Sequence, residues 1–100
     1  LSSWDVSSVK NMWWMFYFAK SFHQDLSAWN MSNVNILDGM FWAATNFNGD
    51  LSRWDTSAVT NMYAVFRFAR AFNGDISRWN ITSVETMDLM FDTATSFNQN

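Results

Sequence analysis

The chain repeats itself four times at a period of 25 residues, with no insertion or deletion. Cut into residues 1–25, 26–50, 51–75 and 76–100, it aligns in fixed columns. Tryptophan holds the fourth position (Trp4, Trp29, Trp54, Trp79) and valine the ninth (Val9, Val34, Val59, Val84). Phenylalanine fills the sixteenth (Phe16, Phe41, Phe66, Phe91) and the twenty-second (Phe22, Phe47, Phe72, Phe97). Alanine holds the nineteenth (Ala19, Ala44, Ala69, Ala94), while the first is Leu1, Leu26, Leu51, Ile76 and the twelfth Met12, Leu37, Met62, Met87. A period of roughly 20–50 residues marks a solenoid, in which each unit buries its apolar face only against the next. One repeat array thus spans residues 1–100. It reads as a fragment of a longer one, because Leu1 opens directly on a repeat.

Two patterns follow one another inside the unit. Apolar residues at positions 12, 15, 16, 19 and 22, as in Met12, Met15, Phe16, Ala19 and Phe22, have the spacing of one helix face. They predict a short helix of about three turns. The segment before it, Leu1 to Val6, alternates weakly, and its fourfold recurrence predicts a short strand. Strands of successive coils would pair in parallel about 4.8 Å apart, making a slab roughly 20 Å long with two open ends.

Composition excludes whole classes. With 49% apolar and 15% charged residues the chain is too hydrophobic for disorder. A net charge of −3 carries no nucleic-acid footprint. No run of about 18 apolar residues offers a membrane-spanning helix. Cysteine is absent, which removes disulfides and thiolate chemistry but does not separate cytosol from exterior. The single histidine, His23, occupies a column that is Asn48, Asn73 and Asn98 elsewhere and has no paired carboxylate. Neither a catalytic triad nor a zinc site follows from it. No phosphate loop or nucleophile elbow occurs, and the repeated serines (Ser2, Ser27, Ser52, Ser77) are structural by default. The expectation is a protein without catalysis or cofactor.

The run from Phe47 through Asn48, Gly49, Asp50, Leu51, Ser52, Arg53, Trp54, Asp55, Thr56, Ser57, Ala58, Val59, Thr60 and Asn61 to Met62, followed by Phe66 and Ala69, resembles the BspA-like leucine-rich-repeat surface-protein repeat. The likeness extends over all four copies. It implies an α/β, leucine-rich-repeat-like solenoid of four coils, each with a short parallel strand and a short helix. It also implies a secreted or cell-surface location and a role in adhesion or recognition, with no catalytic residues to carry over. Trp13, Trp14, Tyr17 and Trp42 depart from that pattern by being bulkier than the small polar residues usual there.

The variable positions carry the functional reading. On a helical wheel positions 13, 14, 17, 20 and 21 face away from the apolar stripe. There the first two coils carry Trp13, Trp14, Tyr17 and Trp42, the third Tyr63, Arg67 and Arg70, and the last Asp88, Asp92 and Thr95. Exposed large aromatics side by side are what partner interfaces use, so Trp13, Trp14, Tyr17, Trp42, Tyr63 and Arg67 form the candidate binding face. Arg67 is placed to make a cation–π contact with Trp42 one coil away. The partner would be a protein or glycan at a surface, or neighbouring repeats of the same array. The alternative is a spacer or filament component built by end-to-end stacking.

Two further columns bear oxygen ligands. Asp25, Asp50 and Asp75, with Asn100, would stack as a weak calcium candidate. The competing reading of such Asx residues, and of Asp5, Asn30, Asp55 and Asn80, is that they cap turns, which Asn does as well as Asp. Asn30-Met31-Ser32 and Asn80-Ile81-Thr82 are glycosylation sequons, relevant if the chain is secreted by a eukaryote.

Overall fold

The computed structural model describes residues 3–99, so Leu1 of the first column, Ser2 of the serine column and Asn100 of the Asx column lie outside the described residues. Backbone amides decide the architecture, because each must find an acceptor when buried. Those at positions 12, 14, 16 and 18 of one layer donate to the carbonyls of positions 11, 13, 15 and 17 of the next. In the first layer they are Met12 to Ile36, Trp14 to Asp38, Phe16 to Met40 and Phe18 to Trp42, at 2.8–3.0 Å. The same rungs recur from Leu37, Gly39, Phe41 and Ala43, and again from Met62, Ala64, Phe66 and Phe68. In the opposite direction Asn35, Thr60 and Glu85 donate to the carbonyls of Lys10, Asn35 and Thr60.

This bonding overturns the expected α/β solenoid of helices and strands. A helix needs each amide to reach back four residues, and here every second amide of residues 12–18 is committed to the neighbouring layer. The amides that follow close four-residue turns instead: Met15 onto Met12 and Ala19 onto Phe16, which place Trp14 and Phe18 third, with Tyr17 onto Trp14 between them, the last two bonds recurring in all four layers. Backbone φ is positive at Trp14, Gly39, Ala64 and Leu89, and again at Phe18, Ala43, Phe68 and Thr93. A positive φ at the third residue of a turn is the type II signature, so tandem turns replace the helix. The apolar spacing that predicted a helix face reports which side chains point inward, and chained turns satisfy it equally well. Among the described residues the expected strand before Val6 is absent too. Trp29, Trp54 and Trp79 donate to the carbonyls of Leu26, Leu51 and Ile76, closing turns there. Among the described residues the sheet pairing is confined to isolated parallel bridges, Asn11 with Ile36, Ile36 with Asn61 and Asn61 with Thr86.

The body measures 31 × 29 × 21 Å. Its core consists of side-chain columns running through the layers. Phe16, Phe41, Phe66 and Phe91 stack at 5.6 Å, with planes within 13°. Phe22, Phe47, Phe72 and Phe97 form a second column at 5.7–6.2 Å. Within a layer the two columns touch, Phe41 on Phe47 at 4.4 Å and Phe66 on Phe72 at 4.0 Å. Such pairs contribute about 0.5–1.5 kcal/mol beyond their burial. Trp54 and Trp79 stack at 6.2 Å, and their indole N–H groups donate to the carbonyls of Leu26 and Leu51 one layer back. That bond satisfies a buried polar group at both ends and fixes the register of adjacent layers. Thr56, buried in the otherwise apolar sixth column, donates its hydroxyl to the Asn80 carbonyl.

Candidate functional site

The turn-forming segment that replaces the helix also carries the candidate face. Three of its six predicted residues are well exposed: Trp13 at 59%, Trp14 at 41% and Tyr17 at 39%. Trp42, Tyr63 and Arg67 are half-buried. The rings are in mutual contact. Trp14 meets Trp13 at 5.9 Å, Tyr17 at 4.8 Å and Trp42 at 5.8 Å. Tyr17 meets Trp42 at 5.5 Å, and Trp42 reaches Tyr63 at 6.5 Å. The indole of Trp14 lies against the backbone of Gly39. A Cβ there would sit 2.8 Å from Trp14 Cδ1 and Nε1, so glycine in the second layer makes room for tryptophan in the first.

Position 17 joins four chemistries in one column. Tyr17 packs edge-on to Trp42, the Arg67 guanidinium lies 5.0 Å from the Trp42 ring, and Arg67 Nε bonds Asp92 Oδ2 at 2.9 Å. Each step spans one layer. The cation–π contact anticipated between Arg67 and Trp42 is therefore present. Arg67 also lies 5.3 Å from the Phe68 ring. Asp38, in the column of Trp13 and Tyr63, accepts the Tyr63 amide at 2.9 Å.

Sequence reasoning missed Phe18 and Phe68. They share with Trp42 and Tyr17 the walls of a groove of ≈ 390 Å³, also lined by Lys20, Ala43, Thr45 and Arg70. Phe18 is 50% exposed, and Lys20 Nζ lies 5.9 Å from its ring. A signal for them was available: position 18 reads Phe18, Ala43, Phe68, Thr93, the same kind of variation in bulk that singled out Trp13.

The Asx columns behave as turn acceptors. Asp5, Asn30, Asp55 and Asn80 each accept the amide of the Ser or Thr two residues on, at 3.0 Å. Asp25, Asp50 and Asp75 accept the amides of Ser27, Ser52 and Ser77 at 2.9 Å. The serine hydroxyl, and after it the amide, holds the carboxyls of Asp5, Asp25, Asp50 and Asp55 below the ordinary carboxylate range. At Asp75 the amide of Ser77 is the larger cause. Among the described residues no three His, Cys, Asp or Glu side chains converge where a metal ion could be held. In the two sequons, Asn30 and Asn80 are exposed and their Oδ1 atoms also accept the Ser32 and Thr82 hydroxyls at 2.7 Å. His23 is exposed as well. Below it in its column Asn48 Oδ1 accepts the Asn73 amide and Asn73 Oδ1 the Asn98 amide, a ladder of side chain to backbone.

A stack of turn-built layers with an aromatic flank defines a repeat module. The family model described as "Mycoplasma protein of unknown function, DUF285" matches residues 1–100, and the chain belongs to that family. No curated protein and no solved structure matches it. Among the described residues no helix is long and apolar enough to cross a membrane.

Proposed function

We propose that this chain is a non-catalytic recognition module that works at a cell surface or outside the cell, binding a protein or glycan through its aromatic flank. The observation that carries the reading is the continuous cluster of Trp13, Trp14, Tyr17 and Trp42, with two exposed indoles in contact on the outside of the core. Exposed rings promote aggregation unless a partner covers them. Trp and Tyr supply large contact area at low entropy cost, which is why they dominate binding hot spots. The resemblance of the repeat to BspA-like surface proteins supports the same role and the same location.

A second reading, a spacer or filament component, rests on a different observation. The two faces of the stack expose core-type residues, Trp4 and Met15 on one side and Ile81, Met87 and Leu89 on the other. Joining such faces would extend the columns. One experiment separates the two readings: a glycan array and a panel of surface proteins probed with the chain and with its W13S/W14S variant, sedimentation being run on both. Recognition predicts signals that the variant loses while its melting temperature stays within a few degrees. Concentration-dependent self-association unchanged in the variant, with no array or panel signal from either, would replace recognition by stacking.

A further inference from the structure

Alternate layers of the stack are more alike than adjacent ones. Position 18 reads Phe18, Ala43, Phe68, Thr93 and position 20 reads Lys20, Thr45, Arg70, Thr95. The same alternation runs through position 13, Trp13, Asp38, Tyr63, Asp88, and position 5, Asp5, Asn30, Asp55, Asn80. At these positions the chemical period is therefore two layers, although positions 14 and 17 differ in every layer. All four residues of position 18 share a φ of 56–59°, so Phe18 and Phe68 leave equivalent backbones two layers apart with Ala43 between them. Two steps of the 5.6 Å phenylalanine column put that stride at about 11 Å. The outcome is a slot lined by these two rings together with Ala43, Thr45, Lys20 and Arg70.

The charges around the slot run against the charge of the molecule. The chain carries −3 overall, yet no Asp or Glu lines the slot. Arg67, beside it, is neutralised by Asp92. Among the described residues Lys20 and Arg70 have no carboxylate partner, so two unneutralised cations stand one stride apart. A field of this kind selects an anion. The backbone selects against a peptide that docks by adding a strand, which would need open amides and carbonyls along an edge. The Ala43 amide is spent on the Arg67 carbonyl and the Thr45 carbonyl on the Ala71 amide. A sugar needs no such edge. Its ring C–H face lies on the negative face of an aromatic ring, and its hydroxyls stay in water.

Building on the recognition reading, we propose that the slot between Phe18 and Phe68 binds a linear acidic glycan bearing a carboxylate on alternate sugars, with Lys20 and Arg70 each taking one carboxylate. The glycan runs along the stack, about one sugar to a layer, so that its charges fall on the two-layer stride. Trp42 and Tyr17 supply the remaining ring surface.

The test uses the hyaluronan hexasaccharide, in which glucuronate alternates with N-acetylglucosamine. Its carboxyl methyl ester and poly-glutamate of similar charge serve as controls, with tryptophan fluorescence and calorimetry as readouts. The expected result is saturable binding that weakens with salt, and weakens about tenfold in K20Q/R70Q on a modest contribution from each exposed ion pair. F18S should weaken binding by a similar factor at an unchanged melting temperature. The ester and poly-glutamate should bind poorly. No saturable binding, an affinity indifferent to K20Q/R70Q, or poly-glutamate binding as well as the sugar would overturn the assignment. The recognition reading falls separately, since W13S/W14S, which removes two indoles that do not line the slot, decides it on the array and panel whatever the hexasaccharide does.

Discussion

The layered core makes a graded prediction about two phenylalanines in the same column. Phe41 is fully buried and meets four rings: Phe16 and Phe66 at 5.6 Å, Phe47 at 4.4 Å and Trp54 at 6.2 Å. Phe91, in the last layer, is half-buried and meets two, Phe66 at 5.6 Å and Phe97 at 4.0 Å. Removing a buried phenylalanine to alanine costs about 3–5 kcal/mol, the spread reflecting how far the site collapses. At Phe41 collapse is resisted from both sides. Its own amide is tied to Val65 and the Phe16 amide to Met40, both at 2.9 Å, so the layers cannot close over the gap. Phe41→Ala should therefore fall near the upper end, about 4–5 kcal/mol. Phe91→Ala, partly exposed at the start and with half the ring partners, should cost about 2 kcal/mol. For a domain of this size the first corresponds to a fall in melting temperature of about 16–40 °C and the second to about 8–16 °C. Urea melts followed by tryptophan fluorescence and circular dichroism read both. Equal losses at the two positions, or a Phe41→Ala cost under about 1 kcal/mol, would refute the stacked-column account of cohesion.

Three further outcomes are expected. Trp54→Phe keeps most of the ring but leaves the Leu26 carbonyl with the Trp29 amide as its donor in place of two, so it should cost about 0.5–1.5 kcal/mol in the same melts. A loss below a few tenths would mean that water replaces the donor. Thr93 is exposed, β-branched and held at φ 56°, a conformation disfavoured for L residues by about 1–2 kcal/mol, so Thr93→Gly should raise stability by about 0.5–1 kcal/mol after the added chain entropy; a lower melting temperature would count against the left-handed turn there. The carboxyls of Asp5, Asp25, Asp50, Asp55 and Asp75 are lowered in the folded chain. Their contribution is thus full above the unfolded carboxyl pKa, about 3.9, and is lost as pH falls through and below it. Because Asn30 and Asn80 make the same bond without a charge, D5N/D55N should keep its neutral-pH melting temperature and lose less of it in acid. An unchanged acid limb would place the sensitivity elsewhere.

How much of this was legible in the sequence varies with the level asked about. The columns of Trp, Phe and Ala told which side chains enter the core, and Phe41, Phe47, Phe66, Phe72 and Ala69 are fully buried. Inward-facing side chains must match from layer to layer, so their identity is written in the repeat. Arg67 against Trp42 was legible for the same reason, because residues 25 apart are neighbours in a register the repeat fixes.

The backbone conformation was not legible. A helix and a chain of type II turns both bring positions 12, 15, 16, 19 and 22 to one side, and apolar spacing cannot tell them apart. Glycine is the residue that betrays a positive φ, but of the eight left-handed positions among the described residues only Gly39 carries it, the others being Trp14, Phe18, Ala43, Ala64, Phe68, Leu89 and Thr93. The strain at each is local, whereas in the first three layers its compensation is an amide bonded to a carbonyl of the next layer, which no single repeat contains. The groove between Phe18 and Phe68 was hidden by the same cause. On a helical wheel position 18 has no particular role, and only the left-handed turn puts those two rings on the flank beside Trp42, with Ala43 between them. The sequence by itself determined the register and the core. The hydrogen bonds between layers decided the conformation of each layer and what its flank displays, because a buried amide takes the acceptor that stacking brings within reach.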